Sequence, residues 1–398
     1  MFSKIRFPLR LLAFALLLPL RLSAQIYADV QVAGAVSGTF TITLEHVKTP
    51  GAVANFIGLA TGQRGWMDQN TGVLRRDAFY NGVIFHRVVA NFVSQTGSRN
   101  GLGTDGPGYS FRDEIDATLS HVNYAVAMAN SGKHTNGSQF YICKGAQTGL
   151  DGGYTIFGLV TAGQAVCDAI NATPVSGSTP VVPITIQSVT VRGPSLAAFN
   201  LDPAWLPNVR NARPSLQKTG AAFSLGYDHQ PYSEYSGWHG PDMAAWTKFP
   251  VSYAGSPAAV GDIDVTSTAT GASHFYRLAR VDYSAARNPF MPASVGGKTL
   301  TFTSNFPGTT LAFNATGSGG NWTIQTNPVG TGAILAVTYT QAPYLPSLFV
   351  QLSSAATYGF DIQLLYKLNY TSATGGTFTA QSNASGYGSF SGTFTSAP

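Results

Sequence analysis

Tyr80-Asn81-Gly82-Val83-Ile84-Phe85-His86-Arg87-Val88-Val89, followed after two residues by Phe92-Val93-Ser94-Gln95, decides how the first half of this chain is read. Residues 82–88 and 92–95 are short β-branched or alternating runs and read as strands. Taken alone, Arg87 is an ordinary solvated cation, and Phe92 and Val93 are ordinary core residues. His86 sits next to Arg87, and the two-residue alternation of a strand points it to the opposite face, so it reads as structural.

Working outward, the chain carries Met128-Ala129-Asn130, then Thr135-Asn136-Gly137-Ser138-Gln139-Phe140-Tyr141-Ile142, then Leu150-Asp151-Gly152 ahead of Phe157-Gly158. Further strands are predicted at 39–44, 125–128, 138–143, 154–160 and 184–191. Two helices punctuate them. Thr49-Pro50 opens the first, with Thr49 as N-cap and Pro at the first helical position, and Gly62 stops it. The second lies within 163–171. Many strands and two helices imply a closed antiparallel sheet with helices plugging it.

These ordered motifs, over residues 25–193, resemble the cyclophilins. The resemblance implies catalysis of rotation about an X-Pro peptide bond, whose barrier is ~18–20 kcal/mol because amide resonance must be lost. No bond is made or cleaved, so the site needs an apolar socket, a fixed donor and polar groups that grip the backbone. Carried over residue by residue, Arg87 is the donor aimed at the twisted amide, suited to this by a permanently charged, planar guanidinium. Phe92, Val93, Tyr141 and Leu150 form the socket, and Gln95 places Arg87 and the substrate carbonyl. Ala129, Asn130 and Gln139 hold the extended peptide, Asn130 largely through its backbone, and Tyr154 stands where many members have His. The catalytic set is thus Arg87, Phe92 and Gln95.

Three further departures from the family pattern bear on the site. Val93 stands where Met is usual, Tyr141 where Phe is usual, and Gly149 where the family often has Trp or another large side chain. The first two keep the socket apolar, whereas the third removes one wall. The expected partners are proline-containing polypeptides, with weak binding of the cyclic peptide cyclosporin. The competing reading is a non-enzymatic proline-peptide binder or chaperone module, with the extension serving in surface attachment or ligand binding.

Other chemistries find little support. Gly101-Leu102-Gly103-Thr104-Asp105-Gly106 has a dinucleotide-binding spacing, but Pro107-Gly108 follows and no helix can start cleanly there. The resemblance makes it the glycine-rich loop that cyclophilins carry. The seven histidines are scattered without metal-ligand spacing, so no metal and no cofactor are expected.

The first 24 residues read as a secretory signal peptide: basic Lys4, Arg6 and Arg10, an apolar stretch over 11–20, and Leu22-Ser23-Ala24 before the cut. The apolar stretch is about half the ~20 residues needed to span a bilayer, so no stable membrane span is expected. Export to the periplasm, cell surface or medium follows. Removing that segment takes away four of the 23 basic residues and leaves 19 against 18 acidic ones, a net of +1. No clustered basic face remains to suggest nucleic acid. Cys143 and Cys167 fit small buried apolar residues, though an exported chain permits a disulfide.

Beyond residue 193 the class stays mainly β. Pro194, Pro203, Pro207 and Pro214 mark 194–216 as a Pro-rich linker. Residues 217–286 read as a small β module ending in a strand at 274–278. Residues 287–398 read as a β-meander or barrel-like module, since Thr alternates with aromatic or aliphatic residues at 299–303, 321–325, 334–340, 360–370, 376–380 and 388–395. Trp238, Trp246 and Trp322 are either core rings or platforms for stacking on sugars.

Overall fold

The structure, a computed structural model, describes residues 25–203, 206–228, 233–250, 260–266, 274–283, 295–304, 309–317, 319–324, 330–340, 347–353, 362–382 and 389–398. The signal segment read at 1–24 lies outside the described residues, as do positions 325, 360, 361 and 388 of the predicted strands.

In the first part, the strands are β1 (Ile26–Gly34), β2 (Gly38–Leu44), β3 (Trp66–Met67), β4 (Leu74–Arg75), β5 (Arg87–Val89), β6 (Val93–Thr96), β7 (Ala125–Met128), β8 (Phe140–Cys143), β9 (Ile156–Ala162), β10 (Val175–Ser176), β11 (Thr179–Pro180) and β12 (Ile184–Arg192). Helices α1 (Pro50–Thr61) and α2 (Gln164–Asn171) complete it. Eight strands form one antiparallel sheet in the order β12-β1-β2-β9-β7-β8-β6-β5. The sequence reading missed β1, although Ile26, Ala28, Val30 and Val32 alternate inward along it.

The stretch 82–86, expected to continue the Arg87 strand, is instead the seam that rolls the sheet. Gly82 N–H donates to Ile186 O and Phe85 N–H to Ile184 O, both at 2.9 Å, and Ile84 bridges Thr185. The sheet is therefore closed by a short bonded segment between its edges rather than by a full ladder. That segment still satisfies the edge groups that would otherwise be exposed.

Helix α1 is buried from Gly51 to Ala60, as its nearly continuous apolar sequence requires. Its Phe56 ring meets Tyr80, Phe140 and Phe157 at 5.2–5.5 Å between centroids, and each such buried ring contributes ~1.5–3 kcal/mol. Thr49 does not cap the helix with its side chain, which bonds to Glu45 O at 3.2 Å. The orphan N–H groups of Gly51 and Ala52 go instead to the Glu114 carboxylate at 3.2 and 2.8 Å. Burial pushes the Glu114 carboxyl up, and those two donors pull it back. Gly62 ends the helix at φ 72°, where a Cβ would fall 2.5 Å from Arg76 O.

The stretch read as a linker is packed structure. It holds β13 (Asn208–Ala212) and the start of β14 (Ser215–Thr219), and Leu206 and Val209 are buried in the same core as α1. Further along come β15 (Ala222–Asp228), β16 (Ser233–Gly240), β17 (Thr247–Pro250), β18 (Val260–Asp264) and β19 (Phe275–Asp282). They make a four-stranded sheet, β13-β19-β16-β17, and a three-stranded one, β14-β15-β18. Prolines broke the local periodicity, but apolar side chains between them found a surface to cover.

Trp238 anchors this middle module on the first domain. The ring is fully buried against Gly72, where a Cβ would lie 2.4 Å from it, and its Nε1 donates to Gln69 O at 3.2 Å. Arg64 reaches across to Asp202 at 3.0 Å and to Pro207 O, while Arg277 reaches back to Thr71 O.

The last part is a closed eight-stranded barrel: β20 (Thr299–Ser304), β21 (Thr309–Phe313), β22 (Gly320–Ile324), β23 (Gly330–Thr340), β24 (Ser347–Leu352), β25 (Ile362–Ser372), β26 (Gly375–Ser382) and β27 (Ser389–Ala397). Strand β27 returns beside β20 from Thr299↔Ala397 to Ser304↔Gly392, which removes both sheet edges. Along β25, Ile362, Leu364, Tyr366, Leu368 and Tyr370 point inward, and Gln363 and Lys367 outward. Phe302 stacks on Tyr366 at 4.1 Å inside. Trp238 and Trp322 are both core rings, and Trp246 lies under the Arg277 guanidinium at 4.2 Å.

Candidate functional site

Cross-strand register sorts the polar and apolar residues of the central motifs onto two faces. Arg87 pairs with Gln95, Gln95 with Tyr141, and Tyr141 with Ala127, so these four form a row across β5, β6, β8 and β7. Their neighbours in sequence, Val88, Val126, Met128, Phe140 and Ile142, face the α1 core. On the row's side Val93, Ala125, Ala127, Tyr141, Cys143 and Ile156 make a separate cluster, with Phe92, Leu119, Ala129, Leu150 and Tyr154 packed around it. The socket residues read from the sequence, Phe92, Val93, Tyr141 and Leu150, are thus in one place.

A chain of hydrogen bonds runs along the rim. Arg87 Nη1 donates to Gln95 Oε1 at 3.3 Å, and Gln95 Nε2 donates to Gln139 Oε1 at 3.1 Å. Gln139 Nε2 donates in turn to the carbonyls of Gly103 and Asp105, each at 2.9 Å. Both carbonyls lie on the glycine-rich loop, which folds around the Asp105 carboxylate through Ser98 Oγ at 2.5 Å and Asn100 N at 2.9 Å. The loop therefore orients Gln139 and, through it, Gln95. Among the described residues Arg87 makes no ion pair, and its bond to Gln95 engages only one of the guanidinium's several donors.

Tyr141 brings a support that sequence reasoning missed. Its hydroxyl lies 2.9 Å from His121 Nε2, while His121 Nδ1 lies 2.6 Å from Asp151 Oδ1. The network assigns the Nδ1 proton toward Asp151 and leaves Nε2 to accept from Tyr141. Hydrogen bonds from Ser120 and His121 hold the Asp151 carboxyl down at about 2. The signal was available, because a Tyr in place of Phe adds a buried hydroxyl that needs a partner. Tyr154 meets Tyr141 edge-on at 5.8 Å.

Asn130 ties its side chain to Gly153 O at 3.1 Å, and Ala129 N–H bonds to Gln139 O at 2.9 Å. His86 precedes β5 and is buried against Gly103 of the glycine-rich loop, where an added Cβ would lie 3.1 Å from its Nε2; neither ring nitrogen is bonded among the described residues, and burial lowers its pKa. Cys143 and Cys167 are free thiols on opposite sides of the sheet, each pushed up to about 12 by burial. Gly149 is exposed beside Leu150, with nothing within 4 Å of an added Cβ.

Among the described residues no group of three or more His, Cys, Asp or Glu could hold a metal ion, and no helix is long and apolar enough to cross a membrane.

An apolar socket beside a fixed guanidinium and two glutamine amides is equipped to hold a peptide and to bias its conformation, which is the work of a peptide-bond isomerase. The family model and the sequence relatives agree. The family model of cyclophilin type peptidyl-prolyl cis-trans isomerase/CLD matches residues 27–191. Peptidyl-prolyl cis-trans isomerase B of Streptomyces anulatus is 42% identical over 175 residues, covering 43% of this chain and 98% of the relative. A probable peptidyl-prolyl cis-trans isomerase A of Mycobacterium leprae is 42% identical over 158 residues, or 39% of this chain and 87% of the relative. A cyclophilin type isomerase crystal structure from Cryptosporidium parvum shares 26% identity, covers 42% of this chain and 98% of its own, and has a TM-score of 0.37. The chain belongs to the cyclophilin-type peptidyl-prolyl cis-trans isomerases, carried here with a β-rich extension.

Proposed function

We propose that Arg87, Phe92 and Gln95 carry the rotation of X-Pro bonds, with the proline ring seated on Phe92, Val93, Tyr141 and Leu150. Ala129, Asn130, Gln139 and Tyr154 hold the peptide on either side. The observation that carries this reading is the Arg87–Gln95–Gln139 chain of hydrogen bonds, which holds a guanidinium in place on the sheet face that carries the apolar cluster. As the amide twists, resonance is lost and the nitrogen lone pair localises. A donor already in place stabilises that state more than the planar one. Exchange between cis and trans forms of a proline peptide, measured with the chain starting at Gln25, tests it.

We further propose that the substrates are exported proteins whose folding is limited by proline isomerisation, which takes tens of seconds or more uncatalysed. The basic, apolar and small-residue pattern of residues 1–24 supports export. Mass spectrometry of protein recovered from the native envelope or medium is expected to find a chain beginning at or near Gln25. Recovery of the intact Met1 form as the stable product would overturn export.

Residues 25–193 are proposed as the isomerase unit. The eight-stranded sheet, both helices and every proposed pocket residue lie within them. The fragment 25–193 is expected to fold and to exchange simple proline peptides, but to melt below the full chain. It loses the cover supplied by Leu206, Val209 and Trp238. Thermal melts and exchange assays on both forms check this, and an inactive fragment beside an active full chain would show that the extension completes the domain.

A further inference from the structure

The isomerase row opens on its far side into a cavity of about 610 Å³. Gln95, Ala129, Asn130 and Gln139 line one wall, and Glu234 and Tyr283 of the middle module line the other. Glu234 stands on β16, and Tyr283 directly follows β19, its partner strand. Trp238, on the same β16, holds that strand against the first domain. Ser110 N–H donates to the Tyr283 hydroxyl at 3.3 Å, and that hydroxyl donates to Glu234 Oε2 at 3.3 Å. The carboxylate is thus held in a set position beside the proline site.

Glu234 is partly buried, and no ion pair among the described residues includes it. Lys248, on the neighbouring strand β17, places its ammonium 3.3 Å from Gln69 Oε1 and over the Trp238 ring. Burial pushes the Glu234 carboxyl up, and the Tyr283 hydroxyl and the nearby Lys248 charge pull only part of the way back, so its ionised form gains further from a cation that enters the cavity. A long side chain with a charged tip fits such a space, its stem running past Ala129 and Pro107 and its head on the carboxylate.

We propose that the extension makes this isomerase selective, with Glu234 and Tyr283 forming a subsite for a Lys or Arg side chain within a few residues of the proline. The proposal rests on the reading of the Arg87 row as the proline site. An extended peptide advances about 3.3 Å per residue, so a cationic residue near the proline reaches the cavity as soon as the chain leaves Gln95 and Gln139. Tyr283 is here a positioning residue that acts by fixing the Glu234 carboxylate.

The test uses the full mature chain and proline peptides in which one Lys, or one Gln in its place, is moved through the positions on either side of the proline. Binding affinity and cis-trans exchange are measured separately. At the best position the Lys peptide is expected to be favoured about tenfold in both, as a charge-assisted hydrogen bond allows. Glu234→Gln is expected to bring the ratio near one, and Glu234→Lys to turn the preference toward a Glu peptide. Equal binding and exchange of Lys and Gln peptides at every position would overturn the subsite and leave the isomerase site standing. So would a preference that survives in Glu234→Gln. A Lys preference in binding that Glu234→Gln removes, without exchange of any peptide, would support the subsite while refuting the catalytic reading of the Arg87 row.

Discussion

Replacing Arg87 by alanine is expected to slow exchange of a proline peptide by about a hundredfold to a thousandfold, the usual loss for one preorganised donor. The size follows from what the guanidinium does between the planar and twisted states. In the planar amide the nitrogen lone pair is delocalised and offers little to a donor. In the twisted amide it is localised, and a positive group in place beside it is worth most there. Gln95, at 3.3 Å, holds Arg87 by a single bond and cannot supply the charge in its absence. Arg87→Lys is expected to recover only part of the rate, because an ammonium lacks the planar fork. The side chain is half-buried at a groove rim and belongs to no apolar cluster, so the variants are expected to stay folded. Near-wild-type exchange by folded Arg87→Ala would remove Arg87 from the site.

Gly149→Trp is expected to tighten cyclosporin binding by roughly thirty- to a hundredfold with little change in peptide turnover. By resemblance, cyclophilins that bind the inhibitor well place a Trp at this position, where it supplies a flat apolar wall and an indole N–H. A buried aromatic contact with one hydrogen bond is worth on the order of 2–3 kcal/mol. Gly149 offers neither, so the natural protein is expected to be active yet poorly sensitive to the inhibitor. Nothing lies within 4 Å of an added Cβ, so the new side chain starts in open space beside Leu150. Paired titrations of wild type and variant, read by inhibitor affinity and by isomerisation, check both halves. Tight inhibition of the wild type, unchanged by the substitution, would mean that position 149 does not line the groove.

Much of the first domain was legible because its motifs are local and ordered. Arg87, Gln95 and Tyr141 were assigned to one site through the resemblance that the ordered motifs carry, and the register of β5, β6 and β8 places them side by side on the face that strand alternation gives each of them. Strand β1 alternates as cleanly and was there to be read. Thr49 illustrates a different limit. A helix start can be recognised from its residues, but which group takes the orphan N–H donors depends on what packs nearby. Here that group is Glu114, more than sixty positions away.

The linker reading failed for a related reason. Pro194 through Pro214 do interrupt regular structure, as prolines must. Whether the residues between them stay solvated depends on a surface elsewhere in the fold. Leu206 and Val209 found one in the core of the first domain, and farther along Trp238 found another over Gly72. The Thr-rich alternation after residue 295 likewise specified strands with one wet face, but not whether the last would return to the first. Closure follows from the pairing of Thr299 with Ala397, a contact between the two ends of the module.

By itself the sequence determined the mainly β class and the two helices of the first domain, and its ordered motifs carried the resemblance that names the isomerase family and suggests the socket residues. Each rests on periodicity or motif order within short windows of chain. Only the tertiary structure decided that His121 and Asp151 brace Tyr141, that the glycine-rich loop steers Gln139, and that the extension brings Glu234 to the cavity lined by Gln95 and Gln139. Those contacts join residues that no local pattern links. Burial of apolar surface over the whole molecule selects them, and the polar groups it brings together then find their partners.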